Sequence, residues 1–331
     1  MPDLLQVEEL RVRFRVKSGL AALTARGSAT HIDAVCGVSF ALEEGKTFAL
    51  VGESGSGKTT LAMAIAGLVP ALDGSIRFEG NELRGLSDSA FKAYRRHIAM
   101  MFQDPIGSLS PRLSIRSLIT EPFKIHGLTE RDLEAEAKRL LAMVGLPADF
   151  AGRYPHQLSG GQARRVGVAR ALALDPKLII ADEPTAGLDV SVQGEVLNLL
   201  ARLQGELGVS ILIITHNLSV VRHTTDRMAI MYLGRFAEQG PTDEIFAHPR
   251  HPYTLALLSA NPKPDPDAIL DAVELKGEVP SLLERPLGCE FHPRCPFAQD
   301  HCRSAVPALT QQGPDHWLTC HFPVEEQKLA G

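Results

Sequence analysis

The octapeptide Gly52-Glu53-Ser54-Gly55-Ser56-Gly57-Lys58-Thr59 constrains the fold of this chain more than any other stretch. The apolar run Phe48-Ala49-Leu50-Val51 precedes it, and a helix-forming stretch at 60–66 follows, closed by Gly67. A short run that is apolar throughout predicts a central parallel strand buried on both faces. The glycines at 52, 55 and 57 let the chain turn tightly and aim backbone N–H groups at phosphate oxygens. Lys58 adds a point charge for the β- and γ-phosphates, and the Thr59 hydroxyl can ligate Mg²⁺. Thr60 opens a helix whose positive end faces the same anion. An incidental Gly/Ser-rich turn would need neither the strand before nor the helix after.

Two further apolar runs end in chemistry. Leu178-Ile179-Ile180-Ala181 leads into Asp182 and Glu183, and 210–215 leads into His216. In a doubly wound sheet, ligands bind beyond the carboxyl ends of the strands. Asp182 is therefore expected to hold Mg²⁺. Glu183, one residue on, is expected to orient and deprotonate an attacking water. A histidine at a strand end is commonly structural, but beside these two strands His216 comes within reach of a γ-phosphate.

Leu158-Ser159-Gly160-Gly161-Gln162 supplies a second anion-binding helix start, with Ser159 as N-cap and the amides of Gly160 and Gly161 bare. One nucleotide has no use for two such cradles from one chain, whereas a sandwich between two chains has. With this pentapeptide in place, residues 1 to about 260 resemble the ATP-binding cassette ATPases. The resemblance implies ATP and Mg²⁺ as cofactors, with Thr59, Gln103 and Asp182 around the metal. Gln103 would serve as the sensor joining two lobes, and Ser159 to Gln162 would close on the ATP of a second cassette subunit. It also implies that 186–189 crosses the dimer interface, where Ala186 and Gly187 depart mildly from the usual Ser-Ala. Phe14 is placed to stack on adenine, or is an ordinary half-buried strand residue. The expected fold is α/β: a P-loop nucleotide-binding core with an inserted helical subdomain and a small Cys-containing C-terminal extension. Boundaries follow the motifs: core at 1–95, helical subdomain at 96–172, core again at 173–255, extension at 256–331.

Within the insert, 129–132 reads as a capped helix start. Leu133, Ala137, Leu140, Leu141 and Val144 lie on one face, and Gly145 is the stop. Residues 104–127, next to Gln103, are the expected docking face for a membrane subunit. Residues 16–33, rich in small side chains, read as a loop.

The 331 residues carry 44% hydrophobic and 22% charged side chains and a net charge of −5, without a long basic run. Nucleic acid is not an expected partner. No apolar run reaches the eighteen or so residues of a membrane span, and the first ten residues lack a secretion-signal pattern. A DNA-repair or chromosome-structure ATPase would carry a coiled-coil or zinc insertion between 60 and 158, and a soluble translation ATPase would usually carry two cassettes. This sequence has neither.

Residues 249–262 and the cysteine-bearing stretch from 288 resemble the tail of ATPases that power oligopeptide and dipeptide importers. That implies two transmembrane permease subunits, a substrate-binding protein, and a place on the cytoplasmic face of the inner membrane. Residues 107–112 resemble the second of the two ATPases in such systems, favouring a heterodimer over a homodimer. Peptide is the expected cargo, with metal ions, sugars and opines as alternatives. Cys289, Cys295, Cys302 and Cys320 are spaced C-x5-C-x6-C-x17-C. Irregular four-thiolate spacing suits a 4Fe–4S cluster; zinc, or free thiols, are the other readings. Cys36 reads as a small buried strand residue. A cluster in the tail would lie beyond 260, outside the cassette motifs, so its loss is expected to damage folding or docking of the extension more than ATP chemistry.

Overall fold

The computed structural model describes residues 2–15, 31–104, 107–128, 130–260, 273 and 275–324. Two sheets organise it. β1 (Asp3–Arg15) and β2 (His31–Glu43) form a long antiparallel pair. β3 (Thr47–Val51) belongs to the central sheet, while β4 (Asp73–Phe78) and β5 (Asn81–Glu82) return to the first, in the order β2-β1-β4-β5. The central sheet continues with β6 (Ile98–Met101), β7 (Leu178–Asp182), β8 (Ser210–Thr215), β9 (Arg227–Tyr232) and β10 (Arg235–Pro241). β11 (Leu309–Gly313) and β12 (His316–Thr319) complete it, in the order β11-β12-β10-β9-β3-β8-β7-β6. The five strands from β9 to β6 are parallel; β10, β12 and β11 form an antiparallel margin. The last two strands come from the C-terminal extension, so this segment is hydrogen-bonded into the core sheet.

Every residue of β3, β7 and β8 is buried, as their unbroken apolar runs require. Successive side chains go to opposite faces. Ile180, Leu212 and Ile214 therefore pack with α1 (Lys58–Ile65) and the antiparallel sheet, against Leu61, Ile65 and Phe78. Ile179, Ile211 and Ile213 pack on the other face against the helical region. There, after α2 (Asp88–Arg95), come α3 (Ile115–Ile125), α4 (Leu133–Met143), α5 (Gly160–Ala171) and α6 (Val190–Leu207). A third apolar cluster joins Val51, Ile230 and Tyr232 to Tyr253, Phe291, Cys289 and Cys302, seating the extension on the core. Tyr253 lies on α9 (Pro252–Ser259), after α7 (Leu218–Thr224) and α8 (Thr242–Ala247).

Local expectations are refined at two places. The cap of α4 is Asp132, whose carboxylate accepts from the amides of Glu134 and Ala135 at 3.0 and 3.2 Å. Thr129 lies outside the described residues, and Gly145 ends the turn in the left-handed conformation. Of the expected 16–33 loop, His31 to Asp33 belong to β2, where Asp33 pairs with Arg13 across the strands; 16–30 lie outside the described residues.

Candidate functional site

The parallel strands end on one rim, and the chemistry-bearing residues stand there. β3 runs into the glycine loop, β7 ends at Asp182, β8 ends one residue before His216, and β6 ends two residues before Gln103. A cleft of ≈400 Å³ opens between them. Ser54, Gly55, Gly57, Lys58, Thr59 and Thr60 line it from the loop and α1. Gln103, Asp182 and Glu183 face them, and Phe14 with Ile32 supplies an apolar end. Phe14 is 40% exposed at this end of the cleft.

The loop is held by its own bonds. Gly57 sits at φ +106° with the carbonyl of Ala34 2.3 Å from where a Cβ would be, so only glycine fits. The buried Lys58 ammonium donates to the carbonyls of Gly52 and Glu53 at 2.7 and 2.9 Å and to Ser56 Oγ at 3.2 Å. Burial lowers its pKa, while Glu183, Asp182 and Glu53 act to raise it. Gly52, Glu53 and Ser56 thus shape the loop from behind.

Across the cleft, Thr59 Oγ1 donates to Asp182 Oδ2 at 2.9 Å. Asp182 is buried, and burial raises its pKa, with Glu183 adding to the rise. A buried carboxylate with one hydroxyl donor and a neighbouring acid is suited to a cation. Glu183 follows at φ +48°, a strained conformation for a non-glycine residue that its amide fixes by donating to the Ile214 carbonyl at 2.8 Å. Its carboxylate, 12% exposed, meets His216 Nδ1 at 2.8 Å, and the imidazole is 68% exposed. Strand order thus brings together two residues 33 apart in sequence.

Ser159 to Gln162 lie elsewhere. They line a second cleft of ≈590 Å³ with Gly187, Leu188 and Asp189, and it shares no lining residue with the first. Ser159 Oγ accepts from the Gln162 amide at 3.3 Å, and Gln162 Oε1 accepts from the Ser159 amide at 3.0 Å, a reciprocal cap at the start of α5.

Sequence reasoning missed Arg164. Buried on α5, it donates to the Gln103 carbonyl at 3.0 Å and the Ala186 carbonyl at 2.8 Å. One guanidinium thus joins the Gln103 loop to 186–189. The stretch Ala163-Arg164-Arg165 carried no signal beyond a basic helix face.

The extension reaches the nucleotide motifs. Leu282 lines the phosphate-loop cleft, and Arg294 pairs with Glu53. The metal expectation for the tail finds no support in the described arrangement. Cys289, Cys295, Cys302 and Cys320 do border one cavity, but it encloses only ≈10 Å³. Among the described residues no three His, Cys, Asp or Glu side chains are arranged to hold a metal ion. The arrangement therefore supports neither the iron–sulfur nor the zinc reading. Burial pushes Cys295 up to about 11 and Cys320 up to about 12. Cys36 is a buried strand residue.

Comparison with known proteins agrees with this geometry. Residues 35–186 match the family described as ABC transporter, and residues 237–302 match the oligopeptide/dipeptide transporter C-terminal region. The oligopeptide transport ATP-binding protein AppF of Bacillus subtilis is 44% identical, over 96% of this chain and 97% of that one. OppF of Escherichia coli, an oligopeptide transport ATP-binding protein, is 45% identical over 92% of each chain. The di/tripeptide transport ATP-binding protein DppF of Pseudomonas aeruginosa is 44% identical, over 93% of this chain and 94% of its own. Among solved structures, the dimeric post-hydrolysis cassette MJ0796 bound to ADP and Pi superposes with a TM-score of 0.62 at 26% identity, covering 72% of this chain and 98% of that one.

Proposed function

The chain belongs to the ABC transporter family, and from that premise we propose that it hydrolyses ATP at the 52–59 loop to drive uptake of di- or oligopeptides. It is an ATP-binding importer subunit of the oligopeptide and dipeptide type. The observation carrying the site assignment is the convergence of Lys58, Thr59, Gln103, Asp182 and Glu183 on one cleft at the carboxyl rim of parallel strands.

In this reading the loop amides and Lys58 hold the β- and γ-phosphates, and Phe14 covers the adenine. Thr59 and Asp182, with Gln103, would hold Mg²⁺, which neutralises phosphate charge. Glu183, oriented by His216, accepts a proton from the attacking water. The separate cleft at Ser159 to Asp189 supports closure of that helix end on the ATP of another cassette subunit, and a distinct subunit is preferred over a second copy. No helix among the described residues is long and apolar enough to cross a membrane. Two permease subunits would therefore hold the chain at the cytoplasmic face of the inner membrane, working with a substrate-binding protein. A groove of ≈290 Å³ lined by Phe102, Leu109, Pro122 and Ile125 supports 104–127 as the docking face. Pro105 and Ile106, which fall within it, lie outside the described residues. The proposed divisions remain 1–95, 96–172, 173–255 and 256–331.

For the tail, zinc is disfavoured, because four ligands would have to converge within about 2.3 Å of one point. A 4Fe–4S cluster spreads its thiolates over separate irons; the irregular spacing of the four cysteines in the sequence is what favours it, and the side chains around their ≈10 Å³ cavity would have to part to admit it.

The central test is Glu183→Gln in the assembled transporter. ATP binding should persist while turnover falls by on the order of 10²–10⁴. Near-normal steady-state hydrolysis would remove Glu183 from this role.

A further inference from the structure

We infer that Arg294, in the C-terminal extension, is a positioning residue for the nucleotide site, holding the phosphate loop in place through Glu53. Glu53 is the second residue of the loop, 241 positions from Arg294. Its carboxylate accepts two parallel bonds from the guanidinium, Nη1 to Oε2 at 2.6 Å and Nη2 to Oε1 at 3.0 Å. Its amide donates to the Tyr253 hydroxyl at 3.1 Å, and that hydroxyl donates back to Oε2 at 3.3 Å. Main chain and side chain of one loop residue are thus gripped together. The grip reaches the chemistry directly, because the Glu53 carbonyl is one of the three oxygens bonded by Lys58 Nζ.

The clasp is built, and does not resemble a chance surface pair. The Arg294 side chain is 6% exposed, and its guanidinium lies 5.8 Å from the Tyr232 ring centre. Tyr232 packs edge to face with both Tyr253 and Phe291, and Tyr253 and Phe291 meet at a tilt, with ring centres 4.9 to 5.3 Å apart. A bidentate pair in such surroundings fixes direction as well as distance. Two more contacts run from the extension to the same rim. Arg285 donates to the Leu233 carbonyl at 2.8 Å and to the carbonyl of Asp33 in β2, and Leu282 lines the nucleotide cleft. Three side chains of the extension therefore converge on the loop and its adenine end. A tail serving only its own stability has no need to do so.

The inference rests on the assignment of 52–59 as the ATP site, so Lys58→Ala serves as the control. In the full chain with its partner subunits, ATP affinity and thermal stability are measured for Arg294→Gln, Glu53→Gln, the double variant and Tyr253→Phe. Each single change at 53 or 294 should weaken ATP affinity about tenfold, and the double variant should be no worse than either, since both break one link. Tyr253→Phe should weaken binding to a smaller degree with Arg294 still paired. Should Arg294→Gln not fold, Glu53→Gln and Tyr253→Phe carry the same test from the core side. Unchanged affinity in these variants, with only the melting temperature lowered, would show that the clasp merely stabilises the tail. A hundredfold loss in the double variant would show that Arg294 acts independently of Glu53. If Lys58→Ala leaves ATP affinity unchanged, the site assignment itself fails; if it abolishes binding while the clasp variants bind normally, only this inference fails.

Discussion

Adding one methyl group at Gly161 tests the geometry of the signature helix. A Cβ there would lie 2.7 Å from Val192 Cγ1. Carbon contacts settle near ~3.5 Å, so about 0.8 Å must be found. Val192 is β-branched and sits in the first turn of α6, where one rotamer dominates, so it cannot swing aside. Overpacking of this kind costs about 1–3 kcal/mol, and the half-buried Val192 favours the lower part of that range. For a chain of this size each kcal/mol lowers the melting temperature by roughly 1–2 °C, so a drop of about 1–3 °C is expected. Gly160 is the internal control. Its Cβ would meet Leu188 Cδ2, a flexible tip, at 3.3 Å, so Gly160→Ala should cost less than about 0.5 kcal/mol. Thermal unfolding of both variants, followed by circular dichroism, reads the difference. Adding Val192→Ala to Gly161→Ala should recover at least half of the loss. Equal destabilisation at 160 and 161, or no recovery, would refute the packing argument.

A Ser159 variant in one of two distinct cassettes should impair hydrolysis only at the site completed by that variant signature, read with the other site disabled; full activity at both would remove the sandwich. Cys302→Ser should lower the iron content of anaerobically purified protein from about four atoms per chain, as four-thiolate ligation implies; iron-free, colourless wild-type protein would leave the cysteines as free thiols. His251, whose Nδ1 caps α9 by accepting from the Tyr253 amide at 3.0 Å, is held down to about 4 by burial, against an ordinary 6.5. Because its folded pKa is depressed, its contribution is complete above pH 6.5 and is lost as pH falls towards 4, about 2 kcal/mol of it by pH 5. His251→Asn keeps a capping acceptor without titrating, so denaturant unfolding should show a flatter pH dependence; an unchanged slope would exclude His251 as the cause.

The parts of this site legible in the sequence are those where a few adjacent residues carry both the element and its chemistry. Phe48 to Thr59 encodes a buried strand, a turn and a helix start within twelve positions, and Leu178 to Glu183 does the same for a strand and its acids. Alternation within β7 and β8 even sorts Ile179 from Ile180 between two cores. The long-range pairings were not legible. Arg164 reads as one more basic helix residue until the Gln103 and Ala186 carbonyls are placed beside it. Arg294 sits among cysteines that drew attention to metals, and its partner lies at the far end of the chain. Tyr253 and Leu282 are ordinary apolar positions until the extension folds back. Side-chain pairing across more than two hundred residues leaves no period or spacing to read.

The separation between Glu53 and Arg294 also sets a timetable for synthesis. Ribosomes add about 5–20 residues per second, and N-terminal regions begin to fold as they emerge. The 241 residues between loop and clasp therefore represent tens of seconds in which strand β3 and its glycine loop exist without their anchor. Parallel partners β8 and β9 arrive late in that interval, and Arg294 follows them. Nascent chains carry the complete loop sequence long before they carry the Arg294 pairing to Glu53, which arrives almost last, with the cysteine-bearing tail.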